Sequence, residues 1–345
     1  MEIRKNQMLN LEKIKKIDSK NMHESYNLWP EIAEESYKNE KVGTSIGEYE
    51  NIVFAGMGGS GAISDIFGSI LSRKPIHIGI VKGYHLPKTV NRKTLVIISS
   101  VSGNTAETVS ILNQANDVKA KIISFSSGGK LEEISKKEGI EHVKIDMVNS
   151  PRASLTKYLF TMLKKFENIL PIEKNEIEVA IKELKKTKEN ISSQNLTQSN
   201  VALDLAENIK QTPIIYYPIG LQAAATRFKN SLQENSKMHV IMEDVLETSH
   251  NGIVPWEKDR KFDPILIQGD NDFIKTKERW KIIKQYFQEN DIKYREIFTE
   301  HTGILSKIIN LIYLLDYSTI YRAILSEIDP TPVKSIDYVK KHIID

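Results

Sequence analysis

The chain has 345 residues, with 48 Lys+Arg against 45 Asp+Glu, a formal net charge of +3, 40% hydrophobic residues and no cysteine. That length buries a sizeable core and predicts about two domains, while the missing cysteine excludes disulfides, thiolate nucleophiles, cysteine-held zinc and iron–sulfur clusters. Near-balanced charge speaks against a nucleic-acid surface. No apolar run approaches the ~18 residues of a membrane span, and the charged N-terminus lacks an h-region, so a cytoplasmic protein is expected.

In chain order, residues 1–48 read as a polar, helical extension. Short apolar runs then predict strands at 51–55, 75–81, 94–99, 121–126 and near 142–145. Helical patterns at 63–72, 105–114 and 131–138 separate them. Val- and Ile-rich runs joined by helical crossovers describe a parallel sheet built from βαβ units. A helix follows at 155–167, then a charged stretch at 173–200 that reads as a helix plus linker. The alternation resumes with strands at 213–217, 239–242, 264–268 and 293–298, and helices at 221–234, 273–289 and 304–327. The expected organisation is an extension (1–48), an α/β half (49–170), a helical linker (171–200) and a second α/β half of similar layout (201–345).

Two loops carry chemistry in the first half. Residues 54–61 read FAGMGGSG after a strand and before a helix. Gly56, Gly58 and Gly61 satisfy the dinucleotide-binding pattern G-x-G-x-x-G. An NAD site wants an acid at the end of the next strand. Lys82 stands there instead, and it cannot accept a hydrogen bond from a ribose hydroxyl. A lysine would suit a 2′-phosphate, so NADP stays open. The remaining reading is a tight turn where Gly58, Gly59 and Ser60 let a ligand reach the backbone. The second loop, SSVSGNTAET at 99–108, opens a helix. Ser100, Ser102 and Thr105 bring three hydroxyls to one helix start, and Gly103 allows a sharp turn. Hydroxyls plus amides without a Walker-type lysine suit a phosphomonoester.

SSVSGNTAET resembles the SxSGxTxET phosphate loop of SIS (sugar isomerase) domains. With GMGGSGA upstream, the chain resembles the bifunctional phosphoglucose/phosphomannose isomerase family. Four further segments carry the likeness in order: SPRA at 150–153, RFKNSLQENSK at 227–237, SHNGIVPWE at 249–257 and DPTPV at 329–333 followed by Lys340. Three positions depart from the family pattern: Val101 replaces an aromatic residue, Gly252 an acid and Pro255 a glycine.

The resemblance implies two SIS-type subdomains, each a mainly parallel sheet flanked by helices. It implies aldose–ketose isomerisation of glucose 6-phosphate and mannose 6-phosphate with fructose 6-phosphate, through ring opening and a cis-enediol(ate). Glu234 would be the base, because a carboxylate suits C–H abstraction. His250 would open the ring, contributed by the partner subunit of a homodimer. Arg152 would stabilise the enediolate or hold a water. Lys340 would assist ring opening or orient the sugar, and Thr331 would line its pocket. The phosphate would lie on Gly58, Gly59, Ser60, Ser100, Ser102 and Thr105. No metal and no cofactor is called for. A non-catalytic phosphosugar-binding SIS regulator would keep the phosphate loop without needing Glu234, Arg152 and His250 together. An amino-sugar-phosphate isomerase is the other alternative.

Overall fold

A computed structural model of the protein describes residues 9–43, 47, 49–300 and 303–343. Residues 1–8, 44–46 and 48 of the predicted extension lie outside the described residues.

The first half forms a five-stranded parallel sheet from β1 (Asn51–Ala55), β2 (His77–Val81), β3 (Thr94–Ser100), β4 (Lys121–Ser126) and β5 (Glu141–Lys144), in the order β2-β1-β3-β4-β5. All seven residues of β3 are buried, as its unbroken apolar run demands of a strand covered on both faces. The second half repeats the plan with β6 (Thr212–Tyr217), β7 (Ile241–Asp244), β8 (Phe262–Gly269) and β9 (Arg295–Thr299), parallel in the order β7-β6-β8-β9. The αβα expectation therefore holds. The helix after β1 begins at Gly58, five residues earlier than its apolar pattern suggests, because the glycines themselves form its first turn.

Helix Ile304–Leu325 runs through the middle. It packs against helices Lys174–Ile191, Gln222–Asn235 and Val201–Asn208. It is long and apolar enough to cross a membrane by length and composition, yet 83% of that window is buried inside the protein. The apolar run that the sequence reading missed is thus the central core helix.

The N-terminal segment is not the polar appendage expected. Its helices Leu11–Ile17, Met22–Asn27 and Trp29–Asn39 bury Ile14, Met22, Tyr26, Trp29, Ala33 and Tyr37. The Tyr26 and Trp29 rings stack at 4.3 Å, and Trp29 stacks on Tyr313 at 5.5 Å. Trp29 Nε1–H also donates to the Ala153 carbonyl at 2.9 Å. Apolar residues at helical spacing were outnumbered by charged neighbours, so the mean polarity hid a buried face. The stretch read as a linker is equally well packed. Helix Lys174–Ile191 buries Ile177, Ala180, Ile181, Leu184 and Ile191. Asn200 then caps helix Val201–Asn208 through the Leu203 N–H.

Candidate active site

The chain leaves β1 for β2 on one side and then returns to β3 on the other. The C-terminal ends of β1 and β3 therefore flank a crevice where strand order reverses, a usual place for ligands in open α/β sheets. Both sequence-flagged loops sit there. Gly58 has φ +54°, which glycine adopts without strain. A Cβ on Gly59 would lie 3.2 Å from the Pro151 carbonyl oxygen and 3.7 Å from Arg152 Cα. The glycine thus lets the turn press against Pro151 and Arg152. Ser60 is buried beside it.

In the second loop, Ser100 Oγ donates to Thr105 Oγ1 at 3.0 Å and accepts the Gly103 N–H at 3.2 Å. Ser102 Oγ accepts the Asn104 N–H at 3.3 Å. Gly103 has φ +69°, and a Cβ there would collide with the Gly128 carbonyl. Thr105 occupies the N-cap of helix Ala106–Asp117, but its side chain makes no capping bond. Its hydroxyl pairs with Ser100 instead, which leaves the first-turn amides of the helix without a side-chain acceptor.

Arg152 is the centre of the second cluster and is only 3% exposed. Its Nε–H donates to Asn235 Oδ1 at 2.7 Å, and Nη1 donates to Glu234 Oε2 at 3.2 Å. Nη2 donates to the Pro330 and Thr331 carbonyls at 2.7 and 2.8 Å. Four of the five guanidinium N–H groups are thereby used. A buried arginine needs such saturation, since an unpaired charge in the interior costs several kcal/mol. Three segments far apart in sequence converge on it: the 150–153 turn, the end of helix Gln222–Asn235 and the 329–331 turn.

A second buried ion pair supports the first. Arg227 donates to Asp316 Oδ2 through Nε at 2.8 Å and Nη2 at 2.7 Å, and Nη2 also reaches the Arg152 carbonyl at 2.8 Å. Tyr26 Oη–H donates to the same Asp316 oxygen at 3.3 Å. Burial, reinforced by Asp316, pushes the Tyr26 phenol far above its ordinary range. Asn235 is itself fixed, donating through Nδ2 to Thr319 Oγ1 at 2.7 Å.

Arg152, Glu234 and Thr331 are therefore brought together, Thr331 through its carbonyl, while its hydroxyl is buried without a partner. His250 and Lys340 are not part of the cluster. His250 is exposed on the turn after the short helix Val245–Thr248, and no hydrogen bond joins its ring to Arg152 or Glu234. Lys340 lies on helix Lys334–His342, which buries none of its residues. Lys82 pairs with Asp65 at 2.5 Å on the rim of a cavity of about 530 Å³ that includes Ile80 and Ile219 but none of the residues of the Arg152 cluster.

The chain is 33% identical to the bifunctional phosphoglucose/phosphomannose isomerase of Caldicellulosiruptor bescii over 93% of its own length and 98% of that protein's. It belongs to the bifunctional phosphoglucose/phosphomannose isomerase family. The family model for the bacterial phospho-glucose isomerase C-terminal SIS domain matches residues 198–343. A D-glucosamine-6-phosphate 4-epimerase of Sulfolobus acidocaldarius is 28% identical over 72% of this chain and 78% of its own. Among solved structures, a hypothetical protein from Thermus thermophilus shares the fold, with TM-score 0.73 and 13% identity, covering 96% of this chain and 92% of that one.

Within this family member, sequence reasoning missed Asn235, Arg227, Asp316 and Tyr26 as supports of the site. Asp316 left a signal: it is a lone carboxylate in the apolar stretch LIYLLDYSTIY of the core helix. Of the three departures from the family pattern, Gly252 has a local reason here. The Glu243 carboxylate fills the space a Cβ would need, and Thr248 Oγ1 holds that carboxylate at 3.1 Å.

Proposed function

We propose that the protein interconverts glucose 6-phosphate and mannose 6-phosphate with fructose 6-phosphate. The observation that carries this reading is the Glu234 carboxylate at the mouth of a buried arginine cluster, in a chain of this family. Glu234 is 26% exposed at its side chain and held by Arg152 at 3.2 Å. It is open enough to meet a substrate and oriented enough to act as a base.

The reaction proceeds on the open-chain sugar. His250 moves a proton between the ring and C1/C5 oxygens to open the ring, a task suited to an imidazole near neutral pH. Glu234 takes the C2 proton, leaving a cis-enediolate across C1 and C2. Glu234 returns that proton to C1, while the O2 hydroxyl proton passes to O1, which yields the ketose. The remaining Nη1 N–H of Arg152 faces the developing charge directly or through a water. Gly58, Gly59, Ser60, Ser100, Ser102 and Thr105 hold the phosphate, and Thr331 walls the sugar pocket. Both C2 epimers react because C2 is planar in the shared enediolate. Each step is a proton transfer that these side chains can serve, and the proposed reaction calls for no metal or cofactor.

His250 reaches the site from a second copy in a homodimer. What supports this is its exposure between Leu246 and Val254, apolar side chains left open on the single chain. Lys340 orients the sugar from a helix whose Ile336 and Val339 are likewise open. Ionised hexose phosphates do not cross a bilayer unaided, which supports a cytoplasmic location.

Fructose 6-phosphate supplied with EDTA tests the reading. Glucose 6-phosphate and mannose 6-phosphate, scored separately, both accumulate. Formation of neither would leave a phosphosugar-binding regulator, and loss with EDTA restored by zinc would overturn the metal-free mechanism. Glucosamine 6-phosphate in a parallel arm, unchanged under the same conditions, separates this chain from its epimerase relative.

A further inference from the structure

Helix Gln222–Asn235 ends in an unusual way. Ser236 N–H and Met238 N–H both turn back to the Leu232 carbonyl, which places Lys237 in the left-handed region at φ +56°. Glycine or asparagine is the usual occupant of such a helix end, and another residue there is strained. Five other described non-glycine residues share a positive φ, namely Asn21, Lys119, Asn149, Asp291 and Glu327. Lys237 differs from them in where its side chain goes. Its Nζ donates to the Glu234 carbonyl at 2.5 Å, and to the Asn235 and Pro330 carbonyls at 3.4 Å each. It therefore bridges the two segments that Arg152 also bridges, and shares the Pro330 carbonyl with it.

We propose that Lys237 is a positioning residue, whose ammonium ties the Glu234 main chain to the Pro330 turn and so holds the Glu234 carboxylate on Arg152. This rests on Glu234 being the base. The strained backbone supports it, since glycine would close the helix with less strain and a lysine is present instead. The surrounding charges give the ammonium a signature of its own. Burial and the neighbouring Arg152 push Lys237 below the ordinary lysine range, while Asp329 and Glu234 pull it back up. Asp329 is fixed in turn by Ser19 Oγ at 2.5 Å and the Thr331 N–H at 3.0 Å.

Three full-length variants test it, each read for Tm, kcat, KM and pH profile with fructose 6-phosphate. Lys237→Gly relieves the left-handed strain, so its Tm equals or exceeds wild type. Its kcat falls roughly 10- to 100-fold with KM within about threefold, because misplacing the base weakens chemistry more than binding. Lys237→Met loses kcat to the same extent. Lys237→Arg keeps a fixed cation and restores most of kcat, and the alkaline limb of its profile moves to higher pH because a guanidinium does not titrate there. Wild-type kcat and pH profile in Lys237→Gly would overturn the proposal, as would Lys237→Arg falling as far as Lys237→Gly at unchanged Tm. Glu234→Gln separates the two claims. If it abolishes turnover while Lys237→Gly does not, only the lysine proposal fails; if it leaves turnover intact, the base assignment fails and the lysine proposal with it.

Discussion

Two regions of this molecule hold candidate catalytic groups under opposite conditions. Around Arg152, folding alone satisfies four of the five guanidinium N–H groups, through hydrogen bonds to Glu234, Asn235, Pro330 and Thr331, with a second ion pair from Arg227 to Asp316 behind it. The His250 and Lys340 side chains make no hydrogen bond or ion pair among the described residues, and both stand in the open. The difference fits what each group does in the proposed reaction. A charge that stays fixed through the reaction can be buried only if its partners are built in with it. A group that moves protons needs water, substrate or a second chain to reach it. The first region is finished by folding, and in the proposed mechanism the second is finished by assembly.

The sharpest way to break that contrast is Glu234→Gln. The amide oxygen still accepts from Arg152 Nη1, so the cluster stays paired and Tm stays close to wild type. Turnover of fructose 6-phosphate falls roughly 10²- to 10⁴-fold, the usual contribution of a positioned general base. A folded Glu234→Gln protein with near-wild-type turnover would remove Glu234 from the chemistry and leave Arg152 as a purely structural ion.

The assembly half of the contrast is tested by mixing. His250→Ala and Glu234→Gln are each inactive alone. Unfolded together and refolded as equal amounts, they form dimers of which about half are mixed, and each mixed dimer holds one site with both groups intact. Activity therefore returns to roughly a quarter of wild type. No recovery, or a wild-type monomer with full activity, would place His250 in its own chain's site or outside the site altogether.

The sequence was legible where the chemistry is local. The G-x-G-x-x-G turn and the serine/threonine loop announce themselves because the candidate phosphate site gathers small residues and hydroxyls close together in the chain. Their place between a strand and a helix followed from the alternating pattern, and the fold sets the two strands side by side. The Arg152 cluster was not legible as a cluster. Its donors and acceptors lie at 152, 234–235 and 330–331, and only the tertiary fold makes them neighbours. Family motifs named Arg152 and Glu234 but not what holds them. Asp316 was hidden in a helix that reads as apolar core, and Tyr26 in a segment whose charged residues masked its buried face. In segment 171–200 the helix was legible but its packing was not, for the same reason: surface lysines and glutamates dominate its composition while its inner face packs on the core helix.

A smaller prediction measures how much an exposed pair contributes beside the buried one. Glu34 joins helix Trp29–Asn39 to helix Lys174–Ile191, accepting from Lys38 at 2.8 Å and Lys185 at 2.7 Å. Those hydrogen bonds, Lys185 first, pull its carboxyl down to about 2. A carboxyl lowered by folding binds fewer protons in the native state than in the unfolded one, so the stability it adds is present above the unfolded value near 4.5 and is lost as pH falls toward 2. Its side chain is a third exposed, so solvent screening reduces the effect to about 0.3–1 kcal/mol. Urea unfolding of Glu34→Gln and wild type shows that gap at pH 7, a shrinking gap between pH 4.5 and 3, and a smaller gap at pH 7 in high salt. A gap independent of both pH and salt would mean that Glu34 acts through packing, and that its two lysines contribute contact rather than charge.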